Sequence, residues 1–260
     1  RYVGRYNGAG IVSPSSTNGI RPSINLKSSV CIVDGDGTID SPYRLKGDND
    51  TELSGSLLSS RYSGEYIKFG NDENNLYRIV SHENGAGTKI VSAEPLKSSG
   101  EFITSAFGSN TVFSSTNTIG AFLNGDYLSN YVDSNYRDMI EDSTTWYLGT
   151  VGNGTSYKLA KYADTTGNTV TSSTTIAKVG LLRLGELMAS QFDRYGNNAA
   201  YWTLTPNDSS RVNSVNDGGD RFDSKSSSAW GIRPSMNLKQ NVVITGGVGT
   251  KNNPFTLSIN

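Results

Sequence analysis

An internal repeat constrains the fold of this chain more than any other feature. The segment "GIRPSINLKSSVCIVDGDGTIDSPYRL" at 19–45 aligns without a gap to "GIRPSMNLKQNVVITGGVGTKNNPFTL" at 231–257, and 15 of the 27 positions are identical. Each residue of the first copy corresponds to the residue 212 positions later. The second copy follows a far longer stretch of chain than the 18 residues that precede the first copy. We therefore expect one complete domain, preceded by the last part of a sister domain.

The repeat predicts three segments. Residues 1–46 are expected to be the C-terminal fragment of an upstream sister domain, and 47–62, "GDNDTELSGSLLSSRY", a polar connector. The complete domain is expected to span 63–260, since the first strand-like run after the connector is "EYIKFG". A piece of about 46 residues buries too little surface to fold alone. We expect it to lean on the complete domain, on a neighbouring chain or on the remainder of its own domain.

Hydrophobic patterning predicts an α+β fold with antiparallel sheets and two or three short helices. The runs "EYIKFG", "LYRIVSH" and "TKIVSAEP" predict an antiparallel meander, and "AAYWTLTPN" predicts a central strand ending at Pro206. Helical spacing occurs at 119–142, broken by Asn124–Gly125, and at 179–192. The stretches 161–177 and 207–229 are polar and are expected to be loops. The chain is therefore expected to be loop-rich.

Composition excludes several classes of function. The formal net charge is −1, so the chain has no electrostatic footprint for nucleic acid or for an anionic membrane. The sequence contains no run of 18 apolar residues, which is about the length needed to span a bilayer. The chain is rich in Ser, Thr, Asn and Gly, and its single cysteine excludes an intrachain disulfide. This composition favours an extracellular or cell-surface protein of a Gram-positive bacterium.

Several motifs point to a known group of proteins. The motifs "FLNGDYL", "MIEDSTTWYLG", "YWTLTP", "WGIRPSMNLK" and "GGVGTKNNPFTL" resemble a family of uncharacterised surface domains common in Firmicutes. Such domains often occur in tandem, and some relatives carry a prepilin-type signal. The C-terminal part of these domains is similar to the C-type-lectin and formylglycine-generating-enzyme fold. The resemblance implies a lectin-like fold and carries no catalytic residue across, because the enzyme branch needs reactive cysteines and 63–260 contain none.

Neither a cofactor nor a metal site is predicted. Cys31 corresponds to Val243 in the repeat and is expected to act as a small core residue. His82 is the only histidine and is expected at a hairpin edge on the surface. "DGDGTID" at 34–40 resembles a calcium loop, but the second copy has lost every acid and kept the glycines, which favours a turn. Calcium binding by the acids of 216–223 stays open.

Two groups of residues are candidates for a role. The stretch 207–229 differs from its counterpart at 1–18 while the strands after them agree, as in a binding loop on a rigid scaffold. The expected ligand-binding residues are Trp202, Arg211, Asn213, Asp217, Asp220, Arg221, Phe222 and Trp230. The residues expected to be structural are Arg21, Pro22, Gly35, Gly37, Arg233, Pro234, Gly247 and Gly249.

The sequence favours a non-enzymatic structural protein over an enzyme. We expect a subunit of a cell-surface fibre or pilus-like appendage that self-associates through its N-terminal partial repeat, because a strand fragment needs a partner. The alternative is a lectin-like adhesin module that binds a host or cell-wall glycan or protein through the 207–229 loop. No spacing of acids, serine and histidine singles out a catalytic pair or triad.

Overall fold

The chain forms two compact units, Arg1–Ser54 and Gly55–Asn260. The computed structural model describes residues 2–4, 8–10, 22–24, 26, 30–34, 37, 43–46, 53–83, 87–148, 174–189 and 199–260. In the first unit, β1 (Tyr2–Gly4) pairs with β2 (Gly8–Gly10), and β3 (Cys31–Asp34) pairs with β4 (Arg44–Lys46). Both pairs are antiparallel. The second unit includes 55–62, which were assigned to the connector from sequence.

The second unit consists of short strands and a few short helices. Its helices are α1 (Thr118–Asn124), α2 (Asp126–Asn130), α3 (Ser134–Arg137) and α4 (Leu184–Ala189). Its strands are β5 (Tyr66–Lys68), β6 (Leu76–Glu83), β7 (Gly87–Ser92), β8 (Lys97–Ser98), β9 (Glu101–Phe102), β10 (Thr104–Ala106), β11 (Thr144–Tyr147), β12 (Thr174–Ala177), β13 (Val179–Gly180), β14 (Tyr201–Pro206), β15 (Arg211–Val215), β16 (Arg221–Lys225), β17 (Ala229–Gly231), β18 (Ser235–Leu238), β19 (Val242–Gly246) and β20 (Thr256–Ile259).

Two five-stranded sheets organise this unit. The first has the order β13-β18-β7-β6-β5 and is antiparallel throughout. The second has the order β10-β17-β14-β15-β16, with β14 in the middle, and only the β14–β17 pair is parallel. The predicted α+β class with antiparallel sheets is confirmed. The meander of β5, β6 and β7 and the central position of β14 follow the sequence pattern.

The helices follow the sequence prediction at 119–142 and depart from it at 179–192. The predicted break is present, since α1 ends at Asn124 and Gly125 follows with φ −124° and ψ −94°. The run 179–192, expected to be one helix, begins instead as β13, and α4 starts only at Leu184. β13 pairs with β18, and its Gly180 packs so closely on Trp146 that a Cβ there would lie 2.8 Å from the ring. The part of this run after Ala189 lies outside the described residues.

The 207–229 stretch is not the loop expected from sequence. It forms a β-hairpin in which β15 and β16 pair from Arg211–Lys225 to Val215–Arg221. Val212 and Val215 are buried together with the two polar residues between them. Those polar side chains bond to backbone carbonyls instead of water. A polar sequence can therefore form an interior strand when its hydrogen bonds are satisfied.

One apolar cluster joins the two sheets through α4. It consists of Val80, Val91, Leu182, Leu184, Leu187, Tyr201 and Val215. On another part of the first sheet, Tyr77 of β6 meets Tyr127 of α2 with a hydroxyl-to-hydroxyl distance of 2.6 Å. Both phenols are fully buried, and burial raises the pKa of each of them.

Candidate functional site

The two copies of the repeat form the same hairpin. In the first, Cys31 faces Lys46, Ile32 faces Leu45 and Asp34 faces Arg44, with a register shift after Ile32. The corresponding pairs of the second are Val243 with Ser258, Ile244 with Leu257 and Gly246 with Thr256, and the register shift follows Ile244. Every partner corresponds at the offset of 212 residues. The sequence repeat is therefore a repeat of strand pairing and of β-bulge.

Equivalent apolar residues are buried in the second copy and exposed in the first. Phe255 has 0% of its surface exposed and its counterpart Tyr43 has 41%. Leu238 has 0% exposed and its counterpart Leu26 has 53%. The pairs Leu257 with Leu45 and Met236 with Ile24 differ in the same direction. The first copy thus presents an apolar face whose counterpart belongs to a domain core.

Residues 55–68 cover that face in the second copy. The amide of Gly55 donates to the carbonyl of Ile244 at 2.8 Å, and the amide of Ile244 donates to Ser56 at 2.9 Å. Phe255 bonds to the residues on either side of Ile67, since its amide donates to the Tyr66 carbonyl and its carbonyl accepts from the Lys68 amide. Leu58 and Ile67 are buried there.

The motif "RPSxNLK" behaves differently in the two copies. In the second, Ser235–Leu238 forms β18 and pairs with β7 from Ser235–Val91 to Leu238–Thr88. In the first, Ser23, Ile24 and Leu26 lie outside any helix or strand, and their side chains are exposed. Among the described residues, nearly identical sequences thus differ in secondary structure, and the copy that forms a strand is the one paired with β7. Tertiary pairing decides the conformation.

The predicted structural residues of the second copy have clear contacts. Arg233 is buried, and its guanidinium donates to the carbonyls of Ser92 and Ala93 and to the Tyr201 hydroxyl. The Pro234 carbonyl accepts from the Ser92 amide at 2.9 Å. Gly247 has φ +82°, and a Cβ there would meet the Pro254 carbonyl oxygen at 2.1 Å. Arg21 and Gly35 lie outside the described residues, and Pro22 is exposed.

The two tryptophans of the predicted ligand surface are both engaged within the domain. Trp202 is buried, its indole N–H donates to the Ser105 carbonyl at 2.8 Å, and its ring packs edge-on against Phe107. Trp230 is half-buried and meets the half-buried Phe222 with ring centroids 5.4 Å apart. The Trp230 indole N–H is buried and has no acceptor among the described residues. Trp202 therefore supports the hairpin from inside and offers no surface to a ligand.

Asn213 holds the base of the β15–β16 hairpin. It is fully buried and donates to the carbonyls of Thr205 and Pro206. The half-buried Arg221 donates to the Asn213 side-chain oxygen at 2.8 Å and to that of Asn207 at 2.7 Å. This network is part of the domain interior.

The outer part of the hairpin is exposed and charged. Arg211 is exposed and pairs with Asp223 at 2.8 Å. Asp217 and Asp220 are exposed at the tip, where the Asp220 amide donates to the Asn216 side chain. Hydrogen bonds from Ser210, first from its amide, lower the pKa of Asp208 at the hairpin base. Of the eight predicted ligand residues, the exposed ones are thus Arg211, Asp217 and Asp220.

A buried polar group that the sequence analysis missed lies between β7, β18 and α4. Lys89 and Glu186 are both buried, and Lys89 Nζ lies 3.0 Å from Glu186 Oε1. Lys89 Nζ also lies 5.2 Å from the centroid of the Trp146 ring. Asn237 faces Lys89 across the strand pair and is buried. The available signal was the charged residues inside two apolar runs, Lys89 in "TKIVS" and Arg183 and Glu186 in "LLRLGELM".

The single cysteine and histidine lie in strands. Cys31 occupies in β3 the place that Val243 has in β19. His82 is half-buried rather than on the surface, because its ring nitrogens contact the Thr88 hydroxyl and the Arg61 carbonyl. Within the described ranges, no three His, Cys, Asp or Glu side chains group in a way that could hold a metal ion. None of the helices described here is long and apolar enough to cross a membrane.

Comparison with known proteins adds no relative. No family model matches the chain, and no match is found among the curated proteins or the solved structures.

Proposed function

We propose that this protein is a non-enzymatic, extracellular structural protein that self-associates through its N-terminal partial repeat. The observation that carries the proposal is the contrast between the two hairpins, which share register and bulge but differ in the burial of equivalent residues. An exposed face that copies a core face needs a partner, since each large apolar side chain gains about 1.5–3 kcal/mol on burial.

The proposed contact joins copies of the chain. The 31–46 hairpin of one subunit docks through its exposed Tyr43 and Leu45 side chains on a different surface of the next subunit. Such a contact is head-to-tail, and a head-to-tail contact that does not close builds a filament. This supports a subunit of a cell-surface fibre or pilus-like appendage.

The setting of this function is also proposed. The motifs "YWTLTP" and "GIRPSMNLK" resemble the surface domains of Firmicutes, and an antiparallel α+β fold agrees with a C-type-lectin-like domain. We infer a cell-surface location in a Gram-positive bacterium. The partners are copies of the same chain.

Assembly of the 260-residue chain tests the proposal. We expect fibres in electron microscopy and a growing mass in light scattering, and we expect both to vanish in the Tyr43→Asp, Leu45→Asp double variant. These side chains are exposed, so the charges should not unfold the second unit. The matched control is Val248→Asp, an exposed position of the second hairpin whose counterpart is already Asp36. A monodisperse monomer, or fibres unaffected by the double variant, would contradict the proposal.

One observation favours a second function, adhesion. The β15–β16 hairpin ends the second sheet among the described strands and carries Arg211, Asp217 and Asp220 on its exposed side. A charged hairpin on a rigid sheet could hold a glycan or a host protein. Glycan-array binding that is lost in the Asp217→Asn, Asp220→Asn variant would support this function, and an array without signal would contradict it.

A further inference from the structure

Three buried polar side chains lie beneath α4 in the second unit. They are Lys89 of β7, Asn237 of β18 and Glu186 of α4, each with less than 4% of its surface exposed. Lys89 and Asn237 face each other in the antiparallel pair. In such a pair, the Cβ atoms of opposite residues lie about 4.5–5.5 Å apart and their side chains share a face of the sheet.

That shared face is the one covered by α4. Side chains alternate along a strand, so Lys89 lies on the same face as Val91. Val91 belongs to the apolar cluster that contains Leu184 and Leu187 of α4. The ion pair between Lys89 Nζ and Glu186 Oε1, at 3.0 Å, agrees with this geometry. The amine, the carboxamide and the carboxyl group are therefore all buried on this face of the sheet, with the Trp146 ring beside the amine.

The hydrogen bonding of this group is incomplete. Asn237 Oδ1 is buried and has no hydrogen-bond partner among the described residues. A buried carbonyl oxygen without a donor is destabilising, and so is the removal of two charges from water. Glu186 is held in place by a second contact, since its Oε2 accepts from the Arg183 amide at 3.0 Å. An amine, a carboxamide and a fixed acid are the parts needed for amide transfer.

We propose that Lys89 and Asn237 form an intramolecular isopeptide bond, with Glu186 as the general acid and base. A proton passes from Lys89 Nζ to Glu186 within the ion pair and leaves a neutral amine. The lone pair of Nζ attacks Cγ of Asn237, and the Nζ–Cγ bond forms. Glu186 donates its proton to Nδ2 and accepts the second proton of the attacking nitrogen. The Cγ–Nδ2 bond breaks, ammonia leaves, and Glu186 stays protonated.

The product satisfies the groups that the free side chains leave unsatisfied. The interior loses both charges, because the amine becomes a neutral amide and Glu186 is protonated. The protonated carboxyl group can donate to the new amide oxygen, which is the former Asn237 Oδ1. The bond would join β7 to β18 covalently in the middle of the first sheet. The proposal does not depend on fibre assembly, since it concerns one chain.

The mass of the intact 260-residue chain tests the proposal. We expect the folded protein to be lighter than its sequence mass by one ammonia molecule. A succinimide at an Asn-Gly pair such as Asn124–Gly125 would lose the same mass, so the sample is also treated with mild alkali. A succinimide opens and regains mass, whereas an isopeptide bond persists. Trypsin should fail to cut at Lys89 and should release one peptide that contains both Lys89 and Asn237.

Three variants and a control connect the missing mass to the residues. Lys89→Arg and Asn237→Ala should each have the full sequence mass, because one reacting group is absent. Glu186→Gln should keep the full mass or lose ammonia far more slowly. The control Lys97→Arg, which lies in the half-exposed pair with Glu94, should stay lighter by one ammonia. Folded wild-type protein with the full sequence mass would overturn the proposal, and this result does not depend on the folding of any variant. A mass deficit that persists in Lys89→Arg would overturn it as well.

Discussion

Gly37 and Gly249 are equivalent glycines whose surroundings differ. Both have a left-handed backbone, with φ of +78° and +73°, and in both a Cβ would come within 2.6 Å of an aromatic ring. The ring beside Gly249 is Phe255, which is buried, while the ring beside Gly37 is Tyr43, which is exposed. An exposed ring can swing away from an added methyl group, whereas a buried ring cannot move without disturbing its neighbours. The same substitution should therefore have unequal consequences.

We predict that Gly249→Ala destabilises the second unit by about 2–3 kcal/mol. The left-handed conformation alone costs about 1–2 kcal/mol with a Cβ, and the contact with Phe255 adds to it. Gly37→Ala should leave the unfolding of that unit unchanged. Urea unfolding followed by tryptophan fluorescence reports on this unit, because all three tryptophans belong to it. Equal midpoints for the two variants would contradict the difference in packing.

At the scale of elements, the β15–β16 hairpin rests on Asn213 rather than on its surface ion pair. Asn213 donates to two carbonyls and accepts from Arg221 in the interior. The Arg211–Asp223 pair joins the same two strands on the exposed side. Solvent weakens exposed ion pairs, but buried groups without partners are costly. The interior network is therefore the one that fixes the hairpin.

We expect Asn213→Ala to lower the free energy of unfolding by about 2–3 kcal/mol, since it removes the donor to two carbonyls and one of the acceptors of Arg221. Arg211→Ala should cost less than about 1 kcal/mol. Chemical denaturation of the two variants measures both values. A larger loss for Arg211→Ala than for Asn213→Ala would show that the exposed pair dominates.

The elements that the sequence predicted are those with apolar alternation. The meander β5–β7 and the strand β14 follow from local pattern, and Asn124–Gly125 marks the helix break because glycine ends helices easily. The hairpin at 207–229 was missed because its interior positions are polar and Asn213 bonds to carbonyls of the neighbouring strand β14. The group of Lys89, Glu186 and Asn237 was missed for a similar reason. Its members come from three elements, and no local pattern records which strand pairs with which.

At the scale of the whole molecule, the Tyr77–Tyr127 contact links β6 of the first sheet to α2, which lies 50 residues later in the sequence. Burial raises the pKa of both phenols above the value of 10.0 for a free tyrosine. An unfolded chain therefore loses these protons at a lower pH than the folded chain does. The stability that the two protonated phenols give to the folded state is complete below pH 10 and declines as the pH rises above that value.

We predict that the melting temperature of the second unit falls steeply above about pH 10, and that Tyr127→Phe makes this fall shallower. The variant should be less stable than wild type at neutral pH, because Tyr77 loses its hydrogen-bond partner. Calorimetry between neutral and strongly alkaline pH measures both effects. The exposed Tyr43→Phe serves as the control and should keep the wild-type slope. An unchanged slope in Tyr127→Phe would assign the alkaline loss to other groups.

The contact between residues 55–68 and the 243–257 hairpin also determines how the second unit bears tension. Near the start and the end of this unit, Ile67 and Phe255 lie side by side in parallel orientation. A pull on the two ends of the unit would load these hydrogen bonds in shear, several at once. The sheets beyond them would carry no load until the bonds gave way. We therefore expect the resistance of this unit to force to depend on the few hydrogen bonds around Ile67 and Phe255.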